Sequence, residues 1–190
     1  MKAVAIDAST SLVCAVLENG SVACWGSGSY GMLGNGIENN LVKPPGLTLP
    51  IGAEAIDVAT RDDGACALLV NGSVSCWGRD NSGQLGSGLV NRSQGSSTQL
   101  SLSPNYTSPL PNGKKATAIT AGYDHTCVLL EDGNVACWGS NNQGQLGLGN
   151  TSGDVSVPTL TLSLGAAATA IETDNKHTCA LLVNLSLIHI

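Results

Sequence analysis

Short stretches in which β-branched residues, mostly apolar, stand at every second position recur along the chain: Val4 and Ile6, Ile56 and Val58, Thr117 and Ile119, Thr169 and Ile171. Each ends eight residues before a cysteine, at Ile6, Val58, Ile119 and Ile171. Period two predicts strands. Downstream, paired cysteines ten positions apart enclose Asn19-Gly20, Asn71-Gly72 or Asp132-Gly133. These dipeptides supply the positive φ of a tight hairpin. A three-residue loop with glycine in the left-handed position sets Leu130 against Asn134 and Cys127 against Cys137. The same count opposes Cys14 to Cys24 and Cys66 to Cys76. Alternation then places Cys127, Leu129, Val135 and Cys137 on one face and Val128, Ala136 and Trp138 on the other. Both faces are apolar, so the sheet must be covered on two sides. With 24 glycines, no phenylalanine and almost no helical apolar spacing, the chain is predicted to be all-β.

The pattern is a repeat. Residues 14–36, 66–88 and 127–149 superpose, and a fourth copy begins at His177 with HTCALLVN. First cysteines at 14, 66, 127 and 179 put the units 52, 61 and 52 residues apart, the size of a propeller blade. The units run approximately 1–52, 53–113, 114–165 and 166–190 within one repeat domain. Pro- and Ser-containing stretches at 43–50 and 94–111 read as loops, the second accounting for the longer pitch. The fourth unit keeps the pattern through Asn184, then has Leu185 in place of glycine and Ile188-His189-Ile190 where Cys-Trp-Gly is expected. A frameshift or spurious tail is the expectation there, with Cys179 left unpaired and the domain incomplete at both ends.

Opposed cysteines on antiparallel strands bring Cβ atoms close to the span of a disulfide. The pairs Cys14–Cys24, Cys66–Cys76 and Cys127–Cys137 are therefore read as cross-strand disulfides. Buried free thiols in a reducing compartment remain the alternative. A metal site lacks clustered Cys/His spacing, and no cofactor motif stands out.

Composition narrows the classes. A hydrophobic fraction of 42% against 12% charged residues describes a chain that folds. The net charge is −6, and the eight cations are scattered rather than gathered into a stripe, so nucleic acid is not an expected partner. No run of about 18 apolar residues spans a membrane, and the first ten residues contain no apolar signal-peptide core.

Trp77-Gly78 followed by Gly83-Gln84-Leu85-Gly86, and Trp138-Gly139 followed by Gly144-Gln145-Leu146-Gly147, each preceded by a hairpin, resemble the RCC1 (regulator of chromosome condensation) repeat family. The first unit keeps Trp25-Gly26 and Gly31 but has Met32 for glutamine. His125 and His177 match the family's HT position, which Leu12 and Gly64 replace in the first two units. The resemblance implies a partial β-propeller with blades of four antiparallel strands, about three and a half repeats of a ring usually of seven. It gives the tryptophan, glycine, glutamine and histidine positions structural duties. The cysteine-paired form resembles bacterial and extracellular members, so a secreted protein is expected, with a cytoplasmic or nuclear one as the alternative. An arc leaves two apolar blade faces open, which favours self-association.

Other motifs fall to turn chemistry. The GxGxxG match at residues 26–31 is repeated as GRDNSG and GSNNQG, without a βαβ context. Asp62, Asp63 and Asp154 show no alternating ligand loop for calcium and are read as solvated loop residues. His125 and His177 recur at one repeat position, so a ring nitrogen bonding backbone at a blade edge is expected rather than general-base work. Sequons occur at Asn19, Asn71, Asn91, Asn105, Asn150 and Asn184, of which Asn91, Asn105 and Asn150 lie outside the Asn-Gly turns and the diverging end. No catalytic constellation emerges. The expected function is a non-enzymatic protein-interaction module with an unidentified protein partner. The alternatives are guanine-nucleotide exchange on a small GTPase and a secreted carbohydrate-binding or hydrolytic protein.

Overall fold

The computed structural model describes residues 2–40, 48–49, 51–88, 100–101, 104, 107–151 and 153–190. Lys43, Gln94 and the sequons Asn91 and Asn105 lie outside the described residues. The chain is all-β and antiparallel, four meandering sheets in sequence order. The first contains β1 (Ala3–Ala8), β2 (Leu12–Leu17) and β3 (Val22–Gly26). The second has β4 (Ala55–Arg61), β5 (Gly64–Leu69) and β6 (Val74–Arg79), with short β7 (Leu100–Ser101) and β8 (Thr107–Ser108) pairing on β6. The third joins β9 (Ala116–Ala121), β10 (His125–Leu130) and β11 (Val135–Gly139). The fourth joins β12 (Ala168–Asp174), β13 (His177–Leu182) and β14 (Leu187–His189). Among the described residues, the fourth strand position of a blade is marked in the first and third sheets by single backbone bonds. There the Leu49 N–H donates to Val22 O and the Leu162 N–H to Val135 O, both at 2.8 Å.

Turn chemistry sets the hairpin register. Gly20, Gly72 and Gly133 have φ of 74, 82 and 79°, and their N–H groups close the turns onto Leu17, Leu69 and Leu130. Asn19, Asn71 and Asp132 accept hydrogen bonds from the backbone N–H two residues on. Cys14 faces Cys24, Cys66 faces Cys76 and Cys127 faces Cys137. Each pair is joined, with S–S distances of 2.07, 2.10 and 2.11 Å. Cys179 is free, and His189 stands opposite it. The first strands run two or three residues beyond Ile6, Val58, Ile119 and Ile171. There Asp7, Thr60 and Thr173 take part in bonds between neighbouring sheets.

The sheets stack with one repeating geometry. The cysteine face of each packs on the tryptophan face of the next: Cys14, Val16, Val22 and Cys24 against Ala65, Ala67, Leu69 and Trp77. Cys66, Leu68, Val74 and Cys76 likewise meet Val128, Leu130, Ala136 and Trp138. Trp77 and Trp138 are fully buried and reach back across the joint, their Nε1–H groups donating to Met32 O (2.9 Å) and Gln84 O (3.0 Å). Position along the stack decides exposure at equivalent places. Val58 and Ile119 are buried against a preceding sheet, whereas Ile6 is exposed and Trp25 only half-buried on the first.

The glycine after each tryptophan is required by backbone crossing. Gly26, Gly78 and Gly139 have φ of 121, 102 and 107°, and a Cβ there would lie 2.2, 2.4 and 2.3 Å from the carbonyl oxygens of Ser11, Asp63 and Asp124. Those same oxygens accept from the following N–H groups of Ser27, Arg79 and Ser140. Gly139→Ala is expected to destabilise the fold by roughly 2–3 kcal/mol, read as a lower urea midpoint at unchanged slope.

Candidate functional site

The innermost strands of the four sheets border an open groove of about 610 Å³. Its lining includes Asp7, Asp57, Asp62, Glu172 and Asp174 from these strands and their turns. Asp7 is tied to the next sheet, its Oδ2 accepting from Thr60 N (2.6 Å) and Thr60 Oγ1 (2.8 Å). Thr120 and Thr173 hold the third and fourth sheets in the corresponding place, their hydroxyls 2.7 Å apart. Half-burial pushes the Asp57 carboxyl above the usual range; the Val58 N–H opposes this and the Asp7 charge adds to it.

Of the loop carboxylates Asp62, Asp63 and Asp154, expected from sequence to be solvated, Asp62 and Asp154 are partly exposed, whereas Asp63 belongs to a buried ionic network beside the groove. Asp63 is 6% exposed, not solvated; Arg61 Nε lies 3.3 Å from its Oδ1 and Arg79 Nη1 3.9 Å from its Oδ2. Burial pushes the Asp63 carboxyl up to about 6, opposed by Arg61, with the Asp124 charge adding and Arg79 opposing. Asp80 and Asp124 are likewise raised, chiefly by burial. Arg79 continues outward, its guanidinium 5.1 Å above the Tyr30 ring and its Nε and Nη2 donating to the Asn81 amide oxygen. Tyr30 is 46% exposed and non-glycine at φ 58°, and Tyr123 projects from the β9–β10 turn at 43% exposure. Among the described residues no group of three or more His, Cys, Asp or Glu side chains is arranged to hold a metal.

The repeat-signature residues of the second and third units lie largely inside the stack. Gln84 and Gln145 are buried, their side chains accepting from Ser82 N (2.8 Å) and Gln143 N (2.9 Å) while their carbonyls serve the next sheet. Leu85 and Leu146 are core, and Gly83, Gly86, Gly144 and Gly147 turn the chain with positive φ. His125 differs from the sequence expectation: it is fully buried and bonds a side chain, Nε2 lying 2.9 Å from Thr178 Oγ1. A side-chain hydroxyl from another sheet, 53 residues away, is invisible to local reasoning. His177 is exposed. Reading from sequence missed Arg61, counted there among the scattered cations; Gly64 standing where histidine recurs was the available signal. Asn150 is exposed. No helix among the described residues is long and apolar enough to cross a membrane.

Four antiparallel sheets stacked face to face around a groove lined by their first strands define a β-propeller type of repeat protein. The chain belongs to the Regulator of chromosome condensation (RCC1) repeat family, whose repeat profile matches residues 71–129 and 132–181, a second such profile matching 116–145. It is 33% identical to the Ultraviolet-B receptor UVR8 of Arabidopsis thaliana over 76% of this chain and 30% of that protein. It is 31% identical to the probable E3 ubiquitin-protein ligase HERC4 of Rattus norvegicus over 87% of this chain and 15% of that protein. In three dimensions it resembles human WBSCR16, with TM-score 0.82 and 22% identity over 99% of this chain and 47% of that one. It also resembles yeast RCC1 (Prp20) in its structure bound to Kap60, with TM-score 0.77 and 20% identity over 97% and 42%. The chain thus spans less than a third of these curated relatives and under half of these structures.

Proposed function

We propose that the chain binds another protein, without catalysing a reaction, at the surface formed by Tyr30 and Arg79. The observation that carries this reading is the preorganised Tyr30–Arg79 pair. A strained backbone holds the ring, Asn81 and Asp63 hold the guanidinium, and Tyr and Arg are the residue types that most often dominate interfaces. Loops on a rigid repeat scaffold are where recognition is usually placed. Solved neighbours of the same fold are named with protein partners: Kap60 for one structure of yeast RCC1, and Gsp1p and histones for another. Trp77 and Trp138 are fully buried and offer no stacking platform for a sugar. Three joined cysteine pairs support a secreted or extracellular setting.

The test is affinity capture followed by titration of the recovered partner. Tyr30→Gly, which suits the left-handed φ, and Arg79→Ala are expected to weaken binding at least about 30-fold, with the melting temperature nearly unchanged. Equal binding by both variants rejects this surface. The gathering of carboxylates in the groove favours a second reading, nucleotide exchange on a small GTPase. Accelerated release of labelled GDP from a small GTPase would establish it in place of the first.

A further inference from the structure

Counted from the first cysteine of each unit, three positions meet at every joint between sheets. Five residues before it stand Ser9, Arg61, Gly122 and Asp174; two before, Leu12, Gly64, His125 and His177; one before, Val13, Ala65, Thr126 and Thr178. At the third-to-fourth joint the Thr178 hydroxyl donates to Gln145 O at 2.9 Å, so its single proton is spent. His125 Nε2, 2.9 Å away, must therefore carry the proton and donate. At the second-to-third joint Thr126 Oγ1 donates to Gln84 O at 3.1 Å and receives Arg61 Nη1 at 3.3 Å. The same hydroxyl thus takes one N–H donor and serves one glutamine carbonyl, but the donor comes from a different position in the repeat.

Glycines make the exchange possible. Where histidine fills the space from the strand, Gly122 stands at the turn position, and a Cβ there would come 2.2 Å from His125 Cε1. Where arginine fills it from the turn, Gly64 stands at the strand position, and a Cβ there would lie 3.0 Å from Arg61 Nη2 and 2.4 Å from Trp77 O. At the first-to-second joint the strand positions are apolar, Leu12 and Ala65 both fully buried in one cluster, and the turn residue Ser9 reaches across differently, its hydroxyl donating to Arg61 O at 3.0 Å. The histidine or arginine donor and the threonine of the following sheet are present together at two joints, and both are replaced at the third.

We infer that Arg61 is a positioning residue occupying the histidine slot of the repeat, and that the match between this donor and the threonine of the following sheet determines which sheet faces pair.

Five variants test this by urea unfolding: Arg61→Gly, Gly64→His, the Arg61→Gly/Gly64→His exchange, and Thr126→Val in the wild-type and Arg61→Gly backgrounds. Arg61→Gly takes from buried Asp63 its nearer cation and from Thr126 its N–H donor, and is expected to lower the folding equilibrium constant at least about 100-fold. Gly64→His alone meets both the arginine and Trp77 O and also destabilises; the exchange relieves the first contact and leaves the second. The exchange variant is expected to recover at least tenfold over the worse single variant, and Thr126→Val to cost less once Arg61 is gone. A pH profile separates the slot from mere space filling. Burial, with the Arg61 and His177 charges adding, holds His125 down at about 4. Asp124, Asp63, Asp80, Asp154, Arg79 and Lys176 are the other charged groups of this region. A buried neutral histidine contributes stability that is present above its unfolded pKa of about 6.5 and lost as pH falls toward its folded value. The exchange variant, with two such histidines, should lose folding equilibrium up to about tenfold more steeply per pH unit across that window than wild type. If Arg61→Gly does not fold, a folded, acid-steepened exchange variant still supports the slot. An exchange variant no more stable than the singles, an unchanged pH profile, or equal cost of Thr126→Val in both backgrounds overturns it.

Discussion

Trp138→Ala is expected to lower stability by about 3–5 kcal/mol, among the largest effects of any single substitution in the core. The indole is fully buried between the second and third sheets, packed with Cys66, Leu68, Cys76 and Leu85 from one and Val128 and Ala136 from the other. Truncation leaves a cavity that two rigid sheets cannot close, and it also strips a hydrogen bond from Gln84 O, which Thr126 shares. Because the equivalent Trp25 has no sheet behind it and is half-buried, Trp25→Ala is expected to cost clearly less. Chemical unfolding of both variants measures the difference. Equal losses would mean that the joint contributes little beyond the single sheet.

Reduction of the three disulfides is expected to have the larger total effect. Each closes a hairpin loop with a sequence separation of 10, and removing such a cross-link restores about 3 kcal/mol of loop entropy to the unfolded chain. Three together approach about 9 kcal/mol if additive, within the whole stability of an ordinary domain. Reductant added in mild denaturant should therefore unfold the protein, whereas the same denaturant alone should not. All three pairs lie at 0–3% exposure, so reduction without denaturant should be slow and limited by opening of the sheets. Thiol counting by mass spectrometry on unfolded, unreduced protein should find Cys179 alone. Seven free thiols would remove both this expectation and the support for an extracellular setting.

The sequence carried the parts of the fold that depend on neighbours within about a dozen residues. Period-two apolar positions marked the strands, and Asn-Gly or Asp-Gly fixed the hairpin register tightly enough to oppose Cys127 to Cys137 and to assign Leu129 and Val128 to opposite faces. The repeat pitch identified the sheets as similar units. The candidate site was legible only in fragments. Arg61 and Asp63 gave no local sign of burial, because the turn that carries them is polar in composition and it is the third sheet, bringing Thr126 across 65 residues, that closes over the guanidinium. Tyr30 was one residue within a glycine-rich turn until the second sheet set Arg79 over its ring.

Local turn chemistry and alternation thus determined the strands, their pairing and their two apolar faces, since each follows from the backbone geometry of one hairpin. Only the tertiary structure decided which face meets which, which of four equivalent positions is buried, and which polar groups converge. Those outcomes depend on the chemistry of the adjoining sheet. A histidine and a glycine at the same place in the repeat become alternatives only when an arginine elsewhere in the chain supplies the missing donor.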